Sequence, residues 1–164
     1  MNIKFDRITE DDLEFLCTVR NLYAEEYLHD SRKFDLYETF NWYKKTKPDY
    51  WMIFLEGTKI GYFRLSNHSS TNKNIYIGAD ISPEYTGKGY AKESYKKFIP
   101  FLFKEYNLHK ISLEVLSSNT RAINLYESVG FNKDGIKRQE VYKNGGWVDS
   151  IIMSILKQEY ENRN

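Results

Sequence analysis

The sequence predicts an α+β fold built on a mixed sheet. Three observations carry that prediction. Runs with the period-2 alternation of strands and runs with the spacing of amphipathic helices take turns along the chain, in the order β-α-α-β-β-β-α-β-α-β-β. Two glycine turns, Glu56-Gly57-Thr58 and Asn144-Gly145-Gly146, each join a pair of strand-like runs as hairpin turns do. No repeat, low-complexity segment or Gly/Ser/Pro linker interrupts the 164 residues, a length that fits one domain with a sizeable core.

Each element has its own signal. Ile3–Arg7 alternates apolar and charged residues and reads as the first strand. Thr9 followed by Asp12 is capping-box-like and opens a helix to about Tyr23, with Leu13, Leu16, Cys17 and Arg20 on one face. Cys17 reads there as a small core residue rather than a nucleophile. Asp35 caps a second helix over 35–47, which stops ahead of Pro48. Tyr50–Leu55 and 59–65 read as a hairpin, 66–73 as a polar loop that carries His68, and Asn74–Ile81 as a strand closed by Pro83. A long helix follows over 89–106, with Ala91, Tyr95, Phe98, Ile99, Leu102 and Phe103 at core-facing spacing. Pro100 lies inside it and is expected to kink the helix or end it early. Lys110–Leu116 is a strand, 120–129 a short helix stopped by Gly130, and 131–142 with 147–157 a final strand pair.

Composition excludes several classes. Aromatic residues at 16% argue against disorder, and no apolar stretch approaches the ~18 residues of a membrane span. The N-terminus lacks the apolar core of a secretory signal, and one cysteine cannot form an intramolecular disulfide, so a cytoplasmic location with no membrane partner is expected. The formal charge of +1 gives no general attraction to nucleic acid. Lys88, Lys92, Lys96 and Lys97 form a local basic patch that reads equally as a solvated helix face or as neighbours of bound phosphates. No metal-ligand pattern is present, and none is expected.

Chemistry concentrates in two segments. Thr86-Gly87-Lys88-Gly89-Tyr90-Ala91 leads from a strand into a helix N-terminus. Glycines there let bare amides approach phosphate oxygens closely, and the helix dipole favours their charge. Gly87-Lys88-Gly89 lacks both the P-loop spacing and its Lys-Ser/Thr ending, so a nucleotide-hydrolase reading fails. The second segment is Asn119-Thr120-Arg121-Ala122-Ile123-Asn124-Leu125-Tyr126-Glu127-Ser128-Val129-Gly130-Phe131.

In this order, the pair resembles the GNAT superfamily of acetyl-CoA-dependent N-acetyltransferases. The resemblance covers nearly the whole chain and is strongest over 74–131. It lies nearest the branch that acts on ribosomal-protein N-termini, nucleotide-linked amino sugars and polyamines. It implies a single GNAT domain over 1–164 with a mixed, mostly antiparallel sheet. The central strands Asn74–Ile81 and Lys110–Leu116 splay apart, and helices flank the sheet.

The resemblance also implies a set of site residues. Acetyl-CoA is expected on Ile81, Thr86, Gly87, Lys88, Gly89, Tyr90 and Ala91, with Asn119, Ala122 and Tyr126, and CoA is the product. The family's loop begins with Arg or Gln, where this chain has Thr86. The backbone cradle survives that departure and one side-chain contact does not. Asn119 is expected to hydrogen-bond the pantetheine arm and Tyr126 to protonate the departing thiolate. Backbone amides near 79–81 would polarise the thioester carbonyl as pantetheine pairs with the strand edge.

A general base is less defined. An alkyl ammonium, with a pKa of about 10.4, must lose a proton before attack. Tyr76 stands where many relatives have a Glu. Asp80, on the same strand face as Tyr76 and Gly78, and Glu114 on the neighbouring strand are the candidates, directly or through water. Each reads equally as a carboxylate on an ordinary exposed strand face, and an amine that arrives neutral needs no base.

On the acceptor side, Arg20, Tyr27, His29 and Tyr76 are the candidates. Arg20-Asn21 and Tyr27-Leu28-His29-Asp30 resemble enzymes of nucleotide-linked amino sugars, which makes such a sugar the leading acceptor, ahead of peptide N-termini and polyamines. Arg20 equally fits a structural ion pair. The competing class is a non-catalytic acyl-CoA-binding regulatory module, suggested by Thr86 and Tyr76 and opposed by Asn119 and Tyr126. The partners implied are a small-molecule or peptide amine and a second copy of the chain in a homodimer.

Overall fold

Asp35 accepts a hydrogen bond from Glu38 N at 2.8 Å, and the Glu38 carboxylate accepts from Asp35 N at 2.9 Å. This capping box satisfies two amides that a helix start leaves orphaned, and so fixes where the second helix, Leu36–Thr46, begins. Lys47 ends it in the left-handed region, at φ 45°. Thr9 and Asp12 act similarly one helix earlier, with Thr9 N donating to Asp12 Oδ2 at 2.7 Å. The expected helix there begins as a 3-10 turn, Glu10–Asp12, and continues as Leu13–Tyr23.

The computed structural model of the chain describes residues 1–163. Its strands are β1 Ile3–Arg7, β2 Tyr50–Leu55, β3 Thr58–Ser69, β4 Asn74–Ile81, β5 Lys110–Leu116, β6 Asn132–Lys143 and β7 Gly146–Leu156. Its α-helices are α1 Leu13–Tyr23, α2 Leu36–Thr46, α3 Tyr90–Glu105, α4 Thr120–Ser128 and α5 Lys157–Arg163. The strand order is β1-β2-β3-β4-β5-β7-β6. β1–β2, β2–β3, β5–β7 and β6–β7 are antiparallel, and β4–β5 is parallel. This is the mixed, mostly antiparallel α+β architecture expected. Among the described residues no helix is long and apolar enough to cross a membrane.

Both hairpins close on two left-handed residues, Glu56-Gly57 and Asn144-Gly145. Two such residues are what a right-twisted two-residue hairpin turn demands. The β4–β5 ladder is short: Asn74, Ile75 and Tyr76 face Lys110, Ile111 and Ser112. It ends there although both strands run on.

The chain forms two compact units, one of Met1–Leu65 with Gly78–Tyr90, the other of Ser66–Ile77 with the residues from Ala91 onward. In the first, Ile8, Leu16, Val19, Met52 and Tyr62 form a buried cluster against which Trp42, Tyr43 and Tyr50 pack. In the second, α3 buries Tyr95, Phe98, Ile99, Leu102 and Phe103. On the sheet, Ile111 faces Ile155 and Leu113 faces Met153, all buried.

Three expectations need correction. Ser66 to Ser69 belong to β3 rather than to a loop, because pairing beside β4 tolerates polar residues that remain largely exposed. His68 sits there, its ring edge-on to Tyr106 at 5.4 Å. Helix α3 runs through Pro100 to Glu105, so of the two outcomes expected there, a kink or an early end, the early end is the one excluded. A mid-helix proline costs about 3 kcal/mol, while each large side chain buried around it returns about 1.5–3 kcal/mol. Finally, the last strand stops at Leu156, whose N–H is capped by Glu159 Oε2 at 3.0 Å, and the short helix α5 follows.

Candidate active site

In the first unit, β4 runs into a 3-10 turn, Pro83–Tyr85, and then the glycine loop. Thr86 Oγ1 donates to Pro83 O at 2.7 Å, so the side chain at the departing position is committed to the turn. Gly87 and Gly89 are left-handed, at φ 73° and 82°, and a Cβ at either would meet no atom within 4 Å. Open space therefore lies over both glycines where α3 begins at Tyr90. The first amides of a helix have no intrahelical acceptor and carry the positive end of its dipole. A cradle lined by such amides fits phosphate oxygens. Lys88 Nζ stands 5.8 Å from the Tyr85 ring, and Tyr85 packs on Tyr90 at 6.2 Å. Lys96 of the basic patch pairs with Glu93 at 3.1 Å. Ala91 follows in the first turn of α3, at the start of the second unit.

Also in the first unit, Asp80 is 6% exposed, which corrects its reading as an exposed strand-face carboxylate. Arg64 from β3 pairs with it, Nε to Oδ2 at 3.3 Å. Ile81 O accepts a 2.6 Å hydrogen bond from the Tyr23 hydroxyl, which ties the end of β4 to α1.

Arg20, offered both as an acceptor residue and as a structural ion pair, is engaged by the connection after α1, its Nη2 3.9 Å from Asp30 Oδ2. It donates to Arg32 O at 2.6 Å and Asp30 O at 3.4 Å, and its guanidinium lies 4.6 Å from the Phe34 ring centroid. Asn21 completes the strap, donating to Phe34 O and accepting from Phe34 N. Held in that connection are Tyr27, whose ring packs on Tyr23 at 6.1 Å, and the exposed His29. Asp30 is gripped by Arg32 through both carboxylate oxygens, and that hydrogen bonding lowers its pKa to about 2.

In the second unit, Asn119 is the N-cap of α4, its Oδ1 accepting from Ala122 N at 3.2 Å. Two residues of the motif are thus joined by helix capping. Tyr126, 9% exposed, closes the last turn against Tyr95 and Phe131. Gly130 explains the glycine of the motif. Its φ is 109°, and a Cβ there would stand 2.9 Å from Ile155 Cδ1.

Glu114 does not stand free. Lys137 of β6 reaches over β7 to donate to it at 2.7 Å, and Ser150 Oγ lies 3.4 Å away. The bond to Glu114 raises the Lys137 pKa, and Tyr76 adds to its electrostatic surroundings. The same strap recurs in mirror order, Lys110 of β5 crossing β7 to Asp134 at 2.7 Å. Arg64, Tyr95 and Lys137 were not among the sequence candidates. Each works through partners far along the chain, and no local pattern marks it.

The pattern of the Acetyltransferase (GNAT) family matches residues 16–131. The chain belongs to this family. It is 35% identical over 104 residues to a spermidine N(1)-acetyltransferase of Vibrio cholerae, a stretch covering 63% of this chain and 60% of that protein. Against the spermidine N(1)-acetyltransferase of Escherichia coli K12 the identity is 32% over 105 residues, covering 64% of this chain and 56% of the relative. Against the putative ribosomal N-acetyltransferase YdaF of Bacillus subtilis it is 29% over 109 residues, covering 66% and 60%. This GNAT chain thus spans 56–60% of the length of these curated relatives. Among solved structures, spermidine N-acetyltransferase from Vibrio cholerae in complex with CoA and spermine matches with a TM-score of 0.90 at 26% identity, covering 98% of both chains.

Proposed function

We propose that the protein is an acetyl-CoA-dependent N-acetyltransferase whose acceptor is a polyamine. The observation that carries the cofactor is the open, left-handed glycine pair at the start of α3. Two considerations favour a polyamine over the nucleotide-linked amino sugar. The relatives named above include spermidine N-acetyltransferases from two bacteria. A sugar diphosphate also calls for free cationic groups, and the donors of Arg20 are engaged by the 30–34 backbone.

Bound acetyl-CoA supplies an acetyl group activated as a thioester. The amides of the loop from Gly87 to Ala91 hold its phosphates, with Lys88 beside them. Asn119 orients the pantetheine arm with the side-chain NH2 that its cap leaves over. In the transfer an N–C bond forms, a C–S bond breaks, the amine loses one proton and the sulfur gains one. Tyr126 donates its phenolic proton to sulfur and regains one from the water that takes the amine's. Asp80 and Glu114 already hold Arg64 and Lys137, so we assign them to positioning, and the acceptor loses its proton to water.

The test is CoA-thiol release against spermidine, spermine, nucleotide-linked amino sugars and N-terminal peptides. Spermidine or spermine should win. A clear preference for an amino sugar would overturn the polyamine reading, and acetyl-CoA binding without release on any amine would favour a regulatory module. Tyr126→Phe should lower turnover about tenfold or more, with acetyl-CoA affinity nearly unchanged.

A further inference from the structure

We propose that Tyr95 is a positioning residue for Tyr126, an inference that rests on the reading of Tyr126 as the proton donor. Tyr126 occupies the last turn of a nine-residue helix, where short helices fray most. The backbone restrains it only in part: Val129 N and Phe131 N both donate to Tyr126 O, at 3.2 and 3.0 Å. The ring is held from another element. Tyr95 of α3 meets it edge-on, with centroids 5.6 Å apart at 77°. Phe131 meets it at 6.0 Å and 60°, and Tyr95 meets Phe131 at 6.4 Å and 85°. Three rings, from α3, α4 and the turn that follows α4, thus contact one another edge to face.

That arrangement does more than fill space. The torsion that turns a phenol ring is broad in isolation, and edge-to-face neighbours select one orientation. A proton donor works only within hydrogen-bond reach of the leaving atom, and a displacement of about 1 Å can cost about a hundredfold in rate. Tyr95 is 1% exposed and Phe131 2%, so neither has room to yield. The spacing of α3 makes Tyr95 look like one core residue among several. Its contact with Tyr126 distinguishes it from Phe98, which is equally buried and stacks on Phe101 instead.

The experiment compares Tyr95→Leu, Tyr95→Phe, Phe98→Leu and Tyr126→Phe in the full chain, reading kcat, the KM for acetyl-CoA and the melting temperature. Tyr95→Leu should lower kcat by about tenfold and leave that KM within about twofold. Tyr95→Phe, which keeps the ring, should restore kcat. Phe98→Leu should lower the melting temperature as much while sparing kcat. If Tyr95→Leu does not fold, Tyr95→Met takes its place. Loss of activity in Tyr126→Phe with full kcat in Tyr95→Leu, or an equal loss in Phe98→Leu, overturns the positioning role alone. Full turnover by Tyr126→Phe overturns the donor reading as well.

Discussion

The guanidinium of Arg64 lies where a side chain at position 78 would stand, its Nη2 2.8 Å from the Cβ that Gly78 lacks. Through that gap Arg64 reaches the carboxylate of Asp80, which is almost fully buried. Beside them Tyr62 is wholly buried, and burial first, then the charge of Asp80, holds its hydroxyl well above the usual tyrosine range. Glycine at 78 is required here for space. Gly78→Ala should push the flexible head of Arg64 aside and strip a buried carboxylate of its close partner. The expected loss of stability is about 1–3 kcal/mol, read by urea unfolding. In an Arg64→Met background the same change should cost less, and strict additivity would show that the two residues do not communicate.

The pairing of both candidate bases bears on pH. Glu114 and Asp80 each already face a cation, Lys137 at 2.7 Å and Arg64 at 3.3 Å. With no enzyme base, kcat/KM for spermidine should rise about tenfold per pH unit between about pH 6 and 9, following the free amine. A bend to a plateau below about pH 7 would reinstate a carboxylate base.

At the glycine loop, backbone conformation and function make separable demands. Gly89→Ala should strain a left-handed position by about 1–2 kcal/mol, with no steric clash. Gly89→Glu adds bulk and negative charge where phosphates are placed, and should abolish acetyl-CoA binding in calorimetry. Undiminished affinity would remove the loop from the cofactor site.

Asp30 and Arg32 give a titration whose sign is fixed. The hydrogen bond from Arg32 holds the folded-state pKa near 2, against an ordinary value of 3.8. The pair therefore contributes stability in full above pH 3.8 and loses it as pH falls toward about 2. Both side chains are substantially exposed, so salt should weaken the effect. NMR titration of the Asp30 carboxyl should show the low midpoint, and Arg32→Ala should return it to the ordinary range. An unchanged midpoint in the variant would exclude Arg32 as the cause.

What the sequence alone determined lies within a few residues of its own signal. Asp35 with Glu38, Gly57 and Gly145 in their turns, Gly130 behind α4 and the glycines before α3 act through nearby amides and allowed φ values, so residue type and spacing suffice to place them. The family motif from Asn119 to Phe131 is legible for the same reason, since Asn119 caps Ala122 and Phe131 folds back onto Tyr126. The tertiary structure decided the rest. Ser66 to Ser69 became strand only because β4 lies alongside, and Pro100 stayed in a helix only because its neighbours are buried. Arg20 was drawn to the 30–34 backbone, Arg64 to Asp80 and Lys137 across an intervening strand to Glu114. The last of these depends on the strand order that sets β7 between β5 and β6. A charge carries no record in its own neighbourhood of which strand will lie beside it.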